Sequence, residues 1–158
     1  MKHSFLLDEN ILFHSIRGTD LHGNDDLTAT RLVVLIATGC HHICYNSTLL
    51  ARYRKQLAKL KNERASGLGP TFFYRFFFGN SLKAVLEDVD PPPLPKSAKI
   101  PDDDIDIVRA ALISHPKLVT NDPKLMKAVN VCEQLRLTAL DPGEAMRYAT
   151  ETCREGVR

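Results

Sequence analysis

Residues 102–142 decide the fold class, and they read DDDIDIVRAALISHPKLVTNDPKLMKAVNVCEQLRLTALDP. Apolar residues recur at helical spacing after the aspartates and again after Pro123, and short apolar runs separate the two segments. The pattern predicts helix 104–114, strand 117–120, helix 123–134, strand 136–140 and a last helix that begins at Pro142. Strands that alternate with helices in this way favour a parallel sheet with helices on both faces.

The amino-terminal half continues the same alternation. Residues 5–7 form an apolar run that ends at Asp8, as a buried strand would. Further along the chain we predict a helix capped by Asp25 or Asp26 and ended by Gly39, a strand at His42–Tyr45, and an amphipathic basic helix over 47–64. The proline-rich segment 91–95 is then a stiff connector within one domain that spans residues 1–158.

Size and composition indicate a single globular domain. Apolar residues make up 44% and charged residues 25% of the 158-residue chain, which is an ordinary balance for such a domain. The longest apolar run, residues 32–37, is far shorter than the roughly 20 residues of a membrane-spanning helix. We therefore expect no membrane association. The four cysteines are too scattered for a disulfide framework, which favours a cytoplasmic location.

Charge is segregated along the chain although the formal net charge is only +2. Basic residues dominate 52–64 and acidic residues dominate 87–106. The two segments could simply be solvated faces of helices and loops. They could also be a strip that attracts phosphates beside a cluster that attracts cations.

Acidic residues follow the strands at the positions where ligands bind in parallel α/β sheets. Asp8 ends the first strand, aspartates 102–104 and Asp106 open a helix, and Asp122 follows the strand at 117–120. Carboxylates that converge from separate elements repel one another unless a cation lies between them, and oxygen ligands favour Mg²⁺ or Mn²⁺. A structural interpretation also exists, because Asp122 and the aspartate run 102–104 both stand where helix-capping residues stand.

The order of four motifs carries more information than any one of them. A strand leads into Asp-x-Asn at 8–10, Pro-Asp-Asp-Asp opens a helix at 101–104, Leu-Val-Thr-Asn-Asp-Pro-x-Leu covers 118–125, and Leu-Thr-Ala-Leu-Asp-Pro-x-Glu covers 137–144. In this combination the chain resembles a PIN domain over nearly its whole length. The resemblance implies a three-layer α/β/α fold with a central parallel sheet, and an endoribonuclease that uses Mg²⁺ or Mn²⁺ to hydrolyse RNA phosphodiester bonds.

The resemblance also implies which residues form the site. Asp8, Asp104 and Asp122 match the family's catalytic and metal-binding acids, with Asp103 as an alternative to Asp104. The accompanying polar positions are Asn10, Thr120 and Asn121. Basic residues of the helix that follows the second strand would bind the RNA backbone, and they are Arg52, Arg54, Lys55 and Lys59.

One family position differs. The second family acid is usually a glutamate on the helix after the second strand, and here Arg52 stands in its place. Asp106, one turn into its own helix, could replace the missing carboxylate as a metal ligand. The alternative is a PIN-like domain without catalysis that serves as an RNA-binding or assembly module.

Several alternatives remain open from the sequence. Asp8-Glu9 after a first strand also resembles the phosphoacceptor site of receiver domains, but the further aspartate and lysine of that family are not found. A toxin-type nuclease would pair with a small antitoxin protein, whereas an RNA-processing enzyme would not.

The aromatic block at 72–78 could fill the core, form a homodimer contact or stack bases. The Cys40–Cys44 segment, residues 40–44, has zinc-ligand residue types but its spacing favours ordinary packing.

Overall fold

The strands and helices alternate along the whole chain, in a computed structural model that describes residues 2–61 and 67–155. Two short helical turns, Asp102–Asp104 and Glu133–Leu135, are of the 3₁₀ type. The regular elements, in chain order, are β1 (Ser4–Leu7), α1 (Glu9–Arg17), α2 (Thr28–Thr38), β2 (His42–Tyr45), α3 (Ser47–Lys59), α4 (Pro70–Phe73), a π-helical turn (Tyr74–Phe78), β3 (Ala84–Leu86), α5 (Ile105–Ser114), β4 (Lys117–Val119), α6 (Pro123–Val131), β5 (Ala139–Leu140) and α7 (Pro142–Glu155).

The five strands form one sheet in the order β3-β2-β1-β4-β5, and every pairing is parallel. The sheet and its helices make a three-layer α/β/α fold, which confirms the fold class predicted from the alternation of elements. β1 is the central strand, and its residues Phe5, Leu6 and Leu7 are almost completely buried. Among the residues described, no helix is long and apolar enough to cross a bilayer.

Side-chain caps fix where several helices begin. Asn46 accepts a hydrogen bond from the backbone N–H of Leu49 at 3.0 Å, at the start of α3. Asp141 and Glu144 each accept from the other's backbone N–H, which is a capping box at the start of α7. Before α2 it is Asp26, and not Asp25, whose carboxylate accepts from the backbone N–H of Thr28.

The element boundaries differ from the sequence predictions in a few places. α1 and β3 were not predicted, and the strand predicted at 136–140 is confined to Ala139–Leu140 because a 3₁₀ turn and an extended segment precede it. The helix predicted over 47–64 ends at Lys59, and residues 62–64 of that prediction lie outside the described residues. The last turn of the helix predicted over 123–134 is a separate 3₁₀ turn.

The aromatic block at 72–78 divides between core and surface. Phe73 and Phe77 are completely buried and stack on each other with ring centroids 5.9 Å apart. Tyr74 and Phe76 are exposed on the opposite side of the same turn. A π-type hydrogen bond from the N–H of Gly79 to the carbonyl of Tyr74, 3.0 Å long, closes this turn. Core packing is therefore confirmed for Phe73 and Phe77, and Phe72 and Phe78 pack against the core while partly buried.

Gly67 lies where the chain returns from α3 to pack on the end of α1. A Cβ atom at this position would lie 2.1 Å from the carbonyl oxygen of Ser15, a distance that no side chain tolerates. The backbone N–H of the next residue, Leu68, donates to that same carbonyl at 3.0 Å. Only glycine permits this approach of two backbone segments.

Candidate active site

The candidate site lies at the carboxyl edge of the sheet, between β1 and β4. The chain moves from β1 to β2 and β3 on one side of the sheet and later to β4 and β5 on the other. The loops that leave β1 and β4 therefore diverge, and this divergence opens a crevice where α/β proteins bind ligands. Asp8 directly follows β1, and the segment from Thr120 to Asp122 directly follows β4.

Asp8 is held between the two strands by hydrogen bonds. Its backbone N–H donates to the carbonyl of Val119 at 2.9 Å. Its carboxylate oxygen Oδ2 accepts from the hydroxyl of Thr120 at 2.8 Å, and the same hydroxyl oxygen accepts from the backbone N–H of Asp122 at 3.0 Å. Thr120 is completely buried and Asp8 is 5% exposed. One threonine therefore connects two of the predicted acids and fixes their relative position.

Burial raises the pKa of Asp8 above its ordinary value, since a charged carboxylate loses its hydration there. The negative charges of Glu9 and Asp122 raise the pKa further. The Thr120 hydroxyl and the backbone N–H of Asn10 act in the opposite direction by stabilising the charged form. A bound cation would stabilise the charged form of a buried carboxylate that has negative neighbours.

Asp104 reaches the same edge from a third segment, the 3₁₀ turn before α5. Burial raises its pKa to about 6, and the negative charges of Asp8, Asp122 and Asp103 add to the increase. Its side chain makes no capping hydrogen bond to α5. Asp104 therefore stands at the N-cap position of α5, as the capping interpretation of the aspartate run predicts, but its carboxylate stays free of a capping bond and senses the charges of the other two acids. We call Asp8, Asp104 and Asp122 the acidic cluster.

Asp122 serves two purposes at once. Its Oδ1 accepts from the backbone N–H groups of Lys124 and Leu125 at 2.9 and 3.4 Å, so the prediction that it caps α6 is confirmed. Its charge also acts on Asp8 and Asp104. The structural and the functional interpretations of this residue are therefore compatible.

Arg52 lies beside the acidic cluster and binds two of the other predicted residues. From α3, its Nη1 donates to the backbone carbonyl of Asp103 at 3.1 Å and its Nη2 donates to Oδ2 of Asp106 at 3.1 Å. The carboxylate of Asp106 thus forms an ion pair with Arg52. Its charge is compensated there, and Asp103 contributes a carbonyl oxygen to the same guanidinium.

The donor chemistry of the acidic cluster fits a hard divalent cation. Three carboxylates from separate segments repel one another, and Mg²⁺ or Mn²⁺ would relieve that repulsion with the oxygen ligands it prefers. In the side-chain positions seen within 2–61 and 67–155, no three histidine, cysteine, aspartate or glutamate side chains are arranged to hold one ion. Asp104 and Asp122 are half-exposed, so an ion could reach their carboxylates from solvent.

The remaining predicted residues lie around the cluster or on α3. Asn10 is exposed on α1, and Asn121 is half-buried and lines a cavity of about 270 Å³ beside the site. Arg54, Lys55 and Lys59 are exposed on α3, whose opposite face buries Leu49, Tyr53 and Leu57 in the core. The predicted basic face of this helix is therefore confirmed as a solvent-facing surface.

Two residues near Asp8 were not assigned to the PIN-like site from the sequence, although Glu9 was noted there as the neighbour of Asp8. Glu9 raises the pKa of Asp8 through its charge. Tyr53, buried on α3, donates its hydroxyl to the carbonyl of Leu7, the residue before Asp8. The sequence pattern marks Tyr53 only as an apolar-face residue, and nothing in it shows that the hydroxyl reaches the end of β1.

The segment 40–44 forms part of the core, as its spacing predicts. His41 is completely buried, and its Nε2 donates to the carbonyl of Ala149 at 3.0 Å. Cys44 is buried on β2, where burial raises the pKa of its thiol, and Cys40 is exposed. Cys40 Sγ lies 3.7 Å from Nε2 of His41, but no third side chain of the described residues joins them as a zinc ligand would.

A scan of the sequence against protein-family models and a search of curated proteins both gave no match. The function is therefore inferred from the chemistry of the acidic cluster and its surroundings.

Proposed function

We propose that this chain is a metal-dependent endoribonuclease that hydrolyses RNA phosphodiester bonds with Mg²⁺ or Mn²⁺. The observation that carries the proposal is a set of three carboxylates from three separate segments, close enough at the crevice of a parallel sheet for their charges to interact. Asp8 and Asp122 are linked there through Thr120, and the charges of both raise the pKa of Asp104. The PIN-like order of motifs in the sequence supports the same activity.

Four residues would have separate roles in the hydrolysis of RNA. Asp8, Asp104 and Asp122 would hold the cation, which when bound supplies an activated water and neutralises charge on the phosphate. Thr120 keeps the Asp8 carboxylate oriented toward the crevice by its hydrogen bond. No side chain needs to act as a covalent nucleophile in such a hydrolysis.

The surface of α3 supports RNA as the substrate. Arg54, Lys55 and Lys59 project into solvent from the helix that also carries Arg52. Lysine and arginine contacts to phosphates provide affinity without sequence preference. A cytoplasmic location is part of the proposal, and Cys40, Cys44 and Cys132, which form no disulfide, are compatible with a reducing compartment.

A second candidate function is RNA binding or assembly without catalysis. The Arg52–Asp106 ion pair favours it, because it places a positive charge beside the carboxylates and engages the acid that could have joined them. The present side-chain arrangement of the cluster, in which three acids do not yet converge on one point, favours it as well.

Cleavage of a single-stranded RNA by the wild-type protein, with Mn²⁺ or with chelator, separates the two functions. We expect Mn²⁺-dependent endonucleolytic cleavage that is lost in Asp8→Asn, which keeps the size of the side chain and removes its charge. Asp25→Asn, in the exposed loop before α2, is the matched control and should cleave as the wild type does. Wild-type protein that binds RNA but does not cleave it with Mn²⁺ would establish the second function. Cleavage that survives chelation or persists in Asp8→Asn would indicate a contaminating nuclease.

A further inference from the structure

Arg52 is a cation fixed in one orientation at the border of the acidic cluster. Its two hydrogen bonds, to the carbonyl of Asp103 and to the carboxylate of Asp106, connect α3 with the start of α5. A long side chain that would otherwise sample many rotamers is thereby held in place. The guanidinium is therefore preorganised for a ligand that accepts its hydrogen bonds.

The guanidinium retains hydrogen-bonding capacity. It has more N–H donors than these two bonds use, and the two bonds are those that Arg52 makes among the residues described. The side chain of Arg52 is 31% exposed and that of Asp106 is 48% exposed, so an incoming group can reach the pair from solvent.

A phosphate is the group that suits this guanidinium best. The planar fork of arginine matches two phosphate oxygens, and such charge-assisted contacts are stronger than contacts between neutral groups. The neighbouring carboxylates repel an approaching phosphate, and a fixed positive charge beside them offsets that repulsion. An ion pair that served stability alone would not require a position next to Asp104.

We propose that Arg52 binds a backbone phosphate of the RNA at the acidic cluster, and that Asp106 positions it for this contact. The inference rests on the proposed function, because it assumes that RNA enters this crevice. The contact itself requires no metal ion, so it can be measured in the presence of chelator. Arg52 is distinct in this respect from Arg54, Lys55 and Lys59 of α3, for which the described part of the chain shows no hydrogen bond or ion pair that would hold the side chain.

The first test measures binding of a fluorescent single-stranded RNA by anisotropy, in chelator and at several salt concentrations. For Arg52→Gln we expect at least about tenfold weaker binding and a slope of log affinity against log salt that is flatter by about 0.7, the value for one phosphate contact on single-stranded RNA. Arg52→Lys should keep the slope and still bind several-fold more weakly, because a lysine lacks the fork. Arg147→Gln, an exposed arginine on α7, is the control and should match the wild type.

The second test isolates the role of Asp106. Removing its negative charge should strengthen RNA binding if charge alone matters. If Asp106 positions Arg52, Asp106→Asn binds RNA several-fold more weakly in spite of that charge, and Asp106→Glu restores part of the affinity. Tighter binding by Asp106→Asn would overturn the positioning role.

The outcomes distinguish this inference from the proposed function. Wild-type affinity and slope in Arg52→Gln, or no RNA binding by the wild type in chelator, would overturn the inference. If RNA binding depends on Arg52 but the protein does not cleave RNA with Mn²⁺, the proposed nuclease activity is wrong and the phosphate contact of Arg52 is supported. Mn²⁺-dependent cleavage by the wild type, together with an unchanged salt slope in Arg52→Gln, would support the nuclease and overturn the phosphate contact of Arg52.

Discussion

The hydroxyl of Thr120 donates to Oδ2 of Asp8 at 2.8 Å although 112 positions separate the two residues in the sequence. The same oxygen accepts from the backbone N–H of Asp122. A single buried hydroxyl therefore sets the position of one acid and the backbone that carries another.

Thr120→Val should destabilise the fold and raise the pKa of Asp8 further. The change keeps the shape of the side chain but leaves a buried carboxylate oxygen and a backbone N–H without their partner, which costs about 1–3 kcal/mol. Urea denaturation measures the free energy of unfolding, and NMR titration of the carboxyl carbon measures the pKa. Thr120→Ser retains the hydroxyl and is the control. Equal stability of the valine and serine variants would contradict the expected role.

Asp8→Asn should raise the thermal stability at neutral pH by a few degrees. The pKa of Asp8 is raised in the folded state, so the folded protein disfavours its charge, and stability is lost as the pH rises above the ordinary pKa of 3.8. Asparagine carries no charge and its amide oxygen can still accept from Thr120. Calorimetry at pH 7 and pH 4 checks this, and the gain should be absent at pH 4. A lower Tm of Asp8→Asn than of the wild type at pH 7 would show that the charge of Asp8 does not destabilise the folded protein.

Asp104 should make stability and metal binding depend on pH between about 4 and 6. Its folded-state pKa of about 6 lies above the ordinary value of 3.8, so the free energy of unfolding decreases as the pH rises through that interval. Mn²⁺ affinity should increase over the same interval, because the ion competes with the proton. Urea denaturation and calorimetric titration from pH 4 to 7 measure both effects. Asp104→Asn should reduce both dependences, and retention of both at full size would assign them to other groups.

Arg52→Glu should bind Mn²⁺ at least about tenfold more tightly than the wild type, a change of about 1.4 kcal/mol. It replaces a positive charge beside the cluster with a carboxylate that can join it. At saturating RNA, which offsets the loss of the Arg52 phosphate contact, cleavage should rise with metal affinity if the arginine limits the metal site, whereas a dedicated binding module would gain no cleavage. Calorimetric titration with Mn²⁺ measures the affinity, with Arg147→Glu as the charge-matched control. An equal gain in the control would reveal a general electrostatic effect.

Neutralising Arg54, Lys55 and Lys59 together should flatten the dependence of log RNA affinity on log salt by up to about two units. All three are exposed on α3 and can contact the backbone of single-stranded RNA. Anisotropy over a salt series provides the slope. The control neutralises Lys96, Lys99 and Arg147, which are exposed elsewhere. A slope that changes only in the control would place the RNA on another surface.

The sequence predicted most of the sheet because its strands are short apolar runs followed by polar residues. It failed at α1 and at β3 for different reasons. The helical spacing of Ile11, Leu12 and Ile16 was present, but it began directly at Asp8 and was not separated from the end of the strand. β3 has three residues and only Ala84 is buried, so no alternating pattern exists to be found.

The acids of the candidate site were predictable and their interactions were not. Asp8 and Asp122 follow strands, and the position of a strand end is visible in the pattern of apolar residues. The contact between Arg52 and Asp106 joins residues 54 positions apart and depends on how α3 packs against α5. Likewise, the choice of Asp104 over Asp103 depends on the rotation of a short 3₁₀ turn, which composition does not determine.

The pairing of β1 with β4 has a consequence for the protein during its synthesis. β1 and the basic helix α3 are both synthesised before Thr120, which is added 112 residues after Asp8. Parallel strands so distant in sequence pair late, because a long loop must close first. A nascent chain can thus present its basic helix to RNA well before its carboxylates are assembled.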